Sequence, residues 1–384
     1  VCLQPAADGK PEQPGGIGEE DLVTLVLPYV HTAKEGIQRL GSLHEKYGTY
    51  EMNAIALQDV NEIWWFESIG GHHWIARRVP DDAYVVMPNQ LGIDRFDLQD
   101  AQHEQKNCMC SPDLAEFIRE NHLDLSLDGT LNPRDAFGSH SDSDHVYNTP
   151  RAWFMERFLN PHACSWDGPD ADCRPDSDFI PWSRVPERKI TVEDIKYLLS
   201  SYYQGTPFDP YANSGDSSLR GKYRPIGINR NDFLALIQIR PDVPEAYRAM
   251  EWVAFGSNAF NAMIPLYANA DQIPAYLSNT GREVSTDSFY WASRLIGALA
   301  DSCYGRCIAH IERYQSAVQA KGHEIILHYD RLLKDAAAEK SADLIAKANQ
   351  EIADMAQKET AAVLDKVLFE ASCRMRNAYS RSDS

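Results

Sequence analysis

Between Glu62 and Gln90 the chain reads EIWWFESIGGHHWIARRVPDDAYVVMPNQ, and this stretch limits the possible folds more than any other. Its Trp, Ile, Val and Tyr side chains fit a pleated, packed surface better than the crowded turns of a helix. Ile69-Gly70-Gly71 and Pro80-Asp81-Asp82 are turn sequences. The spacing predicts three antiparallel strands, Glu62–Ser68, His72–Arg78 and Ala83–Met87, apolar enough to be covered on both faces or nearly so. His72 and His73 alternate faces of such a strand, so both cannot enter one pocket and at least one is structural.

Helical patterns flank this region. Leu22, Leu25, Val26, Tyr29, Val30, Ala33, Ile37 and Leu40 recur at three and four, predicting a helix from about Glu19 to Tyr47. Pro28 should break or kink it, and Gly48 should end it. From Asp100 to about Pro186 the chain is loop-rich, with helices expected at Pro112–Asn121 and Thr149–Phe158. Thr191 followed by Asp194 has the spacing of an N-cap that opens a helix through Ser200. Ile226–Ile239 and Trp252–Phe255 read as strands, and Thr286–Arg313 and Ala342–Met375 as helices. Residues 1–16, rich in Pro, Gly and Ala, read as a disordered lead-in. This order predicts an α+β fold, with antiparallel sheet covered by helices in layers rather than alternating βαβ units. No GxGxxG or GxxxxGK[ST] follows a strand, so nucleotide-binding folds gain no support.

Charge and cysteine usage narrow the function classes. Lys and Arg number 37 against 56 Asp and Glu, a net charge of −19 that argues against nucleic acid as a partner. The apolar run Leu22–Val30 is too short to span a membrane, and the opening residues have no basic and apolar regions of an export signal. Eight cysteines in 384 residues are too sparse for a disulfide scaffold, which fits a reduced, cytoplasmic protein. Cys108 and Cys110 form CxC and Cys164 and Cys173 lie nine apart, without the paired CxxC of a structural zinc site. Cys303 and Cys307, at i and i+4, should share a helical face as buried thiols.

Two patterns carry possible chemistry. Gly138-Ser139-His140-Ser141-Asp142-Ser143-Asp144-His145 gathers metal-ligand residue types, and the same composition also arises as turn chemistry. No HExxH helix accompanies it. The absence of GxSxG removes the commonest serine-hydrolase signal, while a cysteine–histidine pair meeting in space stays open.

Five strings in order resemble the cysteine dipeptidase A family of bacteria, related to secernins and, more distantly, to penicillin V and bile-salt amidases. They are GIGEEDLVTLVLPYV with TAKEGIQRLG, EIWWFESIGGHHWIARRVPDDAYVVMPNQLGID, DAFGSHSDSDHVYNTPRAWF, YRPIGINRNDFLALIQIRPD and WVAFGSNAFNAMIPLY, running from Gly16 to about Tyr276. The resemblance implies a four-layer αββα sandwich of the N-terminal-nucleophile hydrolase type. It would form a single domain over residues 17–384 with a helical region at about 285–378. It also implies amide hydrolysis by a cysteine whose free α-amino group acts as base, on short peptides, with no metal or organic cofactor. Asn89, in MPNQ, resembles the family's oxyanion-stabilising asparagine, the alternative being a strand-end Asn. Arg224, in YRPI, resembles an arginine near the nucleophile in related amidases, the alternative being a structural or surface arginine.

In this family the mature chain begins at Cys, followed by a strand. Here the family-like sequence begins only at GIGEEDL, and Cys2 follows Val1 and precedes LQPAADGKPEQPGG. The expectation is therefore incomplete N-terminal strands and a nucleophile outside this sequence, or Cys2 serving after removal of Val1. A non-catalytic descendant that binds peptides or a protein is the rival of a different class, and a metal-dependent hydrolase using His140–His145 the third. Self-association is left open.

Overall fold

The computed structural model describes residues 16–127, 129–139 and 141–375. The lead-in with Cys2, and His140, lie outside the described residues. The chain divides into two compact units, Val1–Ile190 and Thr191–Ser384.

The first unit opens with α1 (Glu19–Val26), a 3-10 turn at Leu27–Tyr29 and α2 (Ala33–Tyr47). The break falls at Pro28, which has no N–H to give to the preceding turn. Thr32 restarts the helix with a capping box to Glu35, and Gly48 ends it. There follow β1 (Ala54–Gln58), β2 (Ile63–Gly70), β3 (His73–Arg78), β4 (Tyr84–Val85), α3 (Leu98–Gln102) and β5 (Cys108–Cys110). The unit closes with α4 (Leu114–Glu120), α5 (Pro133–Phe137), α6 (Asp144–Tyr147), α7 (Thr149–Leu159) and β6 (Ser183–Arg184).

The expected β2–β3 hairpin forms, with Phe66 opposite Ala76 and Ser68 opposite Trp74. The third expected strand does not join it. The far edge of β3 is occupied by β5, so Tyr84–Val85 turns away after the Pro80–Ala83 turn and pairs with Ser183–Arg184. The sheet runs β1-β2-β3-β5, all antiparallel. Both its faces are covered, as the apolar runs predict. Trp64, Phe66, Trp74, Ala76 and Met109 pack on Ile37 and Leu40 of α2. Ile69, Ile75, Cys108 and Cys110 pack on Leu91, Ile93, Leu114 and Trp182 from the segments that follow β4.

The second unit contains α8 (Val192–Leu199), β7 (Phe233–Ile239), β8 (Ala249–Phe255), β9 (Ile264–Tyr267), α9 (Ala275–Ser278), α10 (Phe289–Ser302), α11 (Tyr304–Lys334) and α12 (Ala338–Ser372). The capping box of Thr191 and Asp194 starts α8 as expected. β7, β8 and β9 form one antiparallel sheet. The strand expected from Ile226 starts only at Phe233, because the backbone turns at Ile228–Asn231 and Gly227 lies against the Ser200 main chain. Trp252, Met250 and Tyr267 share one core with Ile311, Val318 and Ile325 of α11 and Ile345, Ile352 and Val367 of α12. The sequence pattern stopped at Arg313, yet Tyr314, Val318, Ile325, Tyr329 and Leu333 carry the same stripe to Lys334. Cys303 sits at the joint between α10 and α11, buried with Cys307, their sulfurs 3.1 Å apart. Among the described residues, no helix is long and apolar enough to cross a membrane.

Candidate functional site

Asn89 lies in an exposed bend just after β4. The loop that carries it is held by three titratable side chains, two of them buried and Arg134 half-buried. From below comes Glu67 of β2, fully buried. Its Oε1 accepts hydrogen bonds from Gly92 N at 2.8 Å, Trp65 Nε1 at 3.0 Å and Ile93 N at 3.2 Å. Trp65 and Glu67 share a face because strand side chains alternate with period two. Burial pushes the Glu67 carboxyl up to about 7, opposed by these hydrogen bonds and by the charge of Arg134.

Arg134, in α5, holds the same loop laterally. Its Nη2 donates to Gly92 O at 2.8 Å and its Nη1 to Ile180 O at 2.7 Å, while its backbone N donates to Ile93 O at 3.0 Å. Gly92 is a close-approach position. A Cβ there would lie 2.7 Å from Cδ1 of the fully buried Trp182 and 3.0 Å from Met87 Cγ. Gly92→Ala is expected to destabilise the first unit by about 1–3 kcal/mol through overpacking. Amide hydrogen exchange at Ile93 and Ala76 measures that loss against unchanged exchange in α11.

The third support is Arg151 of α7, a buried residue. Its Nη2 donates to Oδ1 of Asn89 at 2.8 Å and to Oδ1 of Asn148 at 2.7 Å, and its Nε donates to Tyr147 O at 2.7 Å. α7 is itself anchored, Thr149 Oγ1 donating to Pro175 O at 2.7 Å and Trp153 Nε1 to Cys173 O at 3.0 Å.

The Ser/Asp/His loop resolves into turn chemistry at its described positions. Asp144 Oδ2 accepts from Ser139 Oγ at 2.7 Å and Ser141 Oγ at 3.1 Å, and its Oδ1 accepts a short hydrogen bond from Asn148 Nδ2. Burial alone would raise its pKa, but the bonds from Ser139, Asn148 and Ser141 outweigh it and hold Asp144 below the usual carboxylate range. His145 Nε2 lies 2.9 Å from Asp178 Oδ1, and that hydrogen bond raises the imidazole's pKa. No group of three or more His, Cys, Asp or Glu side chains converges to hold a metal among the described residues. Exposed His72 contacts Glu45 O through Nδ1 at 2.8 Å, and buried His73 stacks on Phe117 at 4.3 Å, so each has a structural contact of its own.

Arg224 belongs to the second unit, half-buried in the connection between α8 and β7. Its carbonyl accepts from Tyr203 Oη at 2.8 Å, which fixes the backbone of the YRPI string. Asn89 and Arg224 thus fall in different units, and each is placed by its own surroundings. Four of the seven described cysteines are poorly suited to nucleophilic work. Burial pushes Cys108 up to about 11 and Cys110, Cys173 and Cys307 up to about 12, leaving them thiols at neutral pH. A cleft of about 820 Å3 in the first unit is lined in part by Asp97 and Asp100 and does not include Asn89. Those carboxylates cap backbone N–H groups, Asp97 at Gln99 and Asp100, and Asp100 at Lys106, Asn107 and Cys108.

Glu67, Arg134 and Arg151 were not singled out from sequence. For Glu67 a signal existed, since a lone acid in the run IWWFESI must be buried if the strand is covered on both faces. Arg134 and Arg151 sit in a loop-rich stretch, and only their contacts mark them.

The model of Peptidase family C69 matches residues 3–317. The dipeptidase of Bifidobacterium longum (strain NCC 2705) is 53% identical over 423 residues, covering 100% of this chain and 79% of that protein. A probable dipeptidase A of Streptococcus pyogenes serotype M18 is 48% identical over 369 residues, covering 96% of this chain and 75% of that protein. The dipeptidase A of Lactobacillus helveticus is 40% identical over 370 residues, again covering 96% and 75%.

Proposed function

Because the chain belongs to Peptidase family C69, we propose that it hydrolyses the peptide bond of dipeptides through an acyl-enzyme on a cysteine whose own α-amino group is the base. An α-amine titrates near neutral pH and can accept the thiol proton without a histidine. The thiolate adds to the peptide carbonyl carbon, and the carbonyl oxygen becomes an oxyanion. Asn89 donates its amide N–H to that oxygen. Collapse breaks the C–N bond, and the α-ammonium returns its proton to the leaving amine. Water, deprotonated by the same amine, then attacks the thioester and releases the acid with the free thiol.

The observation that carries this reading is the fixed Asn89 carboxamide at an exposed bend, its oxygen occupied by Arg151. The raised pKa of Cys108, Cys110, Cys173 and Cys307 counts against those four as the nucleophile. The family resemblance points instead to Cys2 after removal of Val1, or to the first cysteine of a family-type opening segment. Arg224 would orient the substrate carboxylate or lower the thiol's pKa. The αββα sandwich is part of this proposal on the family resemblance alone, and a cytoplasmic location on the sparse cysteines.

The test is release of free amino acids from a mixed dipeptide panel, with and without chelator. It is run on the chain, on Cys2→Ala, and on the chain joined to a family-type opening that begins with cysteine. Chelator-resistant hydrolysis is expected, abolished by Cys2→Ala or gained with the opening segment. Peptide binding without hydrolysis in every form would favour the non-catalytic reading, and loss in chelator the metal-dependent one.

A further inference from the structure

A side-chain amide donates from one end and accepts from the other, so a catalytic asparagine works only if something sets which end faces the substrate. Around Asn89 two charged groups of fixed character set it. Ionised Asp144 can only accept, so Asn148 must turn its Nδ2 toward the carboxylate, as it does. That leaves Asn148 Oδ1 on the opposite side, where Arg151 Nη2 donates to it at 2.7 Å. Arginine can only donate, and the same nitrogen reaches Oδ1 of Asn89 at 2.8 Å. The Asn89 nitrogen is therefore turned away from α7.

We propose that Arg151, itself oriented through Asn148 by Asp144, is a positioning residue that locks the Asn89 carboxamide with its N–H donors directed at the substrate. The inference rests on the reading of Asn89 as the oxyanion donor. It assigns the Ser141–Asp144 turn, with Ser139 bonded to its carboxylate, a purpose beyond turn chemistry. Ser139 and Ser141 keep Asp144 ionised by hydrogen-bonding it, and an ionised Asp144 keeps both amides from flipping. Arg151 is held in turn by Tyr147 O and lies over the Tyr147 ring at 5.0 Å, so its guanidinium cannot swing to another acceptor at little cost.

Selective 15N-asparagine labelling of the full chain reads the Asn89 carboxamide directly, with Asn89→Ser identifying its signals. Arg151→Leu and Asp144→Asn are expected to shift the Asn89 pair, because its oxygen loses or re-forms the bond from Arg151, while the other resolved asparagine signals distant from the turn keep their positions. Arg151→Lys, which retains a donor and the fold, should shift the pair less than Arg151→Leu does. Unmoved Asn89 signals in Arg151→Lys and Asp144→Asn proteins that melt like the wild type would overturn the proposal. In the dipeptide-hydrolysing form, Arg151→Lys should lower kcat on the order of ten- to a hundredfold with KM unchanged. Combining it with Asn89→Ser should cost no more than Asn89→Ser alone. If no form hydrolyses dipeptides, the role of Asn89 falls, and the carboxamide signals still decide whether Arg151 orients it.

Discussion

Asn89→Asp is expected to lower kcat for dipeptide hydrolysis by about 10²- to 10³-fold, the usual cost of one oxyanion donor, with KM changed little. The substitution preserves shape. An aspartate at this position still accepts the hydrogen bond that Arg151 gives Asn89 at 2.8 Å, so the loop should keep its place. In the proposed role it loses the N–H given to the oxyanion, and it adds a negative charge where negative charge would develop. A thermal melt unchanged beside a large loss in kcat is the expected combination. A loss confined to KM would assign Asn89 to ground-state binding instead.

The second large effect concerns stability. Glu67→Ala is expected to cost the first unit at least about 3 kcal/mol, because Gly92 N, Ile93 N and Trp65 Nε1 would lose a shared buried acceptor. Glu67→Gln should behave differently. All three donors reach Oε1 within 3.2 Å, and Ile93 N lies a longer 3.4 Å from Oε2, so Gln can keep the shared acceptor and give up only the weaker contact. The pH dependence follows from the direction of the shift. Burial raises the folded pKa from 4.5 to about 7, so the folded state holds the proton more tightly than the unfolded chain. The contribution is complete below pH 4.5 and lost as pH rises through 7. The wild type should therefore lose up to about 3 kcal/mol between these limits that Glu67→Gln does not lose. Hydrogen exchange at Ile93, followed from pH 5 to 8 in both proteins with correction for intrinsic rates, measures it. Parallel profiles would mean that Glu67 stays ionised in the folded state.

The layout of elements was legible where the pattern was local. Pro28 marked the break between α1 and α2, and Thr191 with Asp194 marked the start of α8. The β2–β3 hairpin followed from its aromatic runs and the glycines between them. Pairing partners chosen across the chain were not legible. Nothing in Cys108–Cys110 announces a strand, yet its three residues take the edge of β3 and displace Tyr84–Val85 to a distant partner. α11 was cut short because its stripe runs through the polar stretch from Gln315 to His323, where the apolar residues are sparse. The site divides in the same way. Asn89 was proposed from resemblance alone. The titratable side chains that hold its loop come from β2, α5 and α7, far apart in sequence, and only the fold brings them to one loop.

The most direct test of the proposed chemistry is to find the atom that forms the acyl-enzyme. The dipeptide-hydrolysing form is treated with a dipeptide-derived chloromethyl ketone, weighed intact and then peptide-mapped. One adduct per chain is expected, on the cysteine that begins the polypeptide, with activity lost in step with labelling. Labelling of an internal cysteine such as Cys164 in step with that loss, or hydrolysis that survives complete alkylation of the first cysteine, would contradict it.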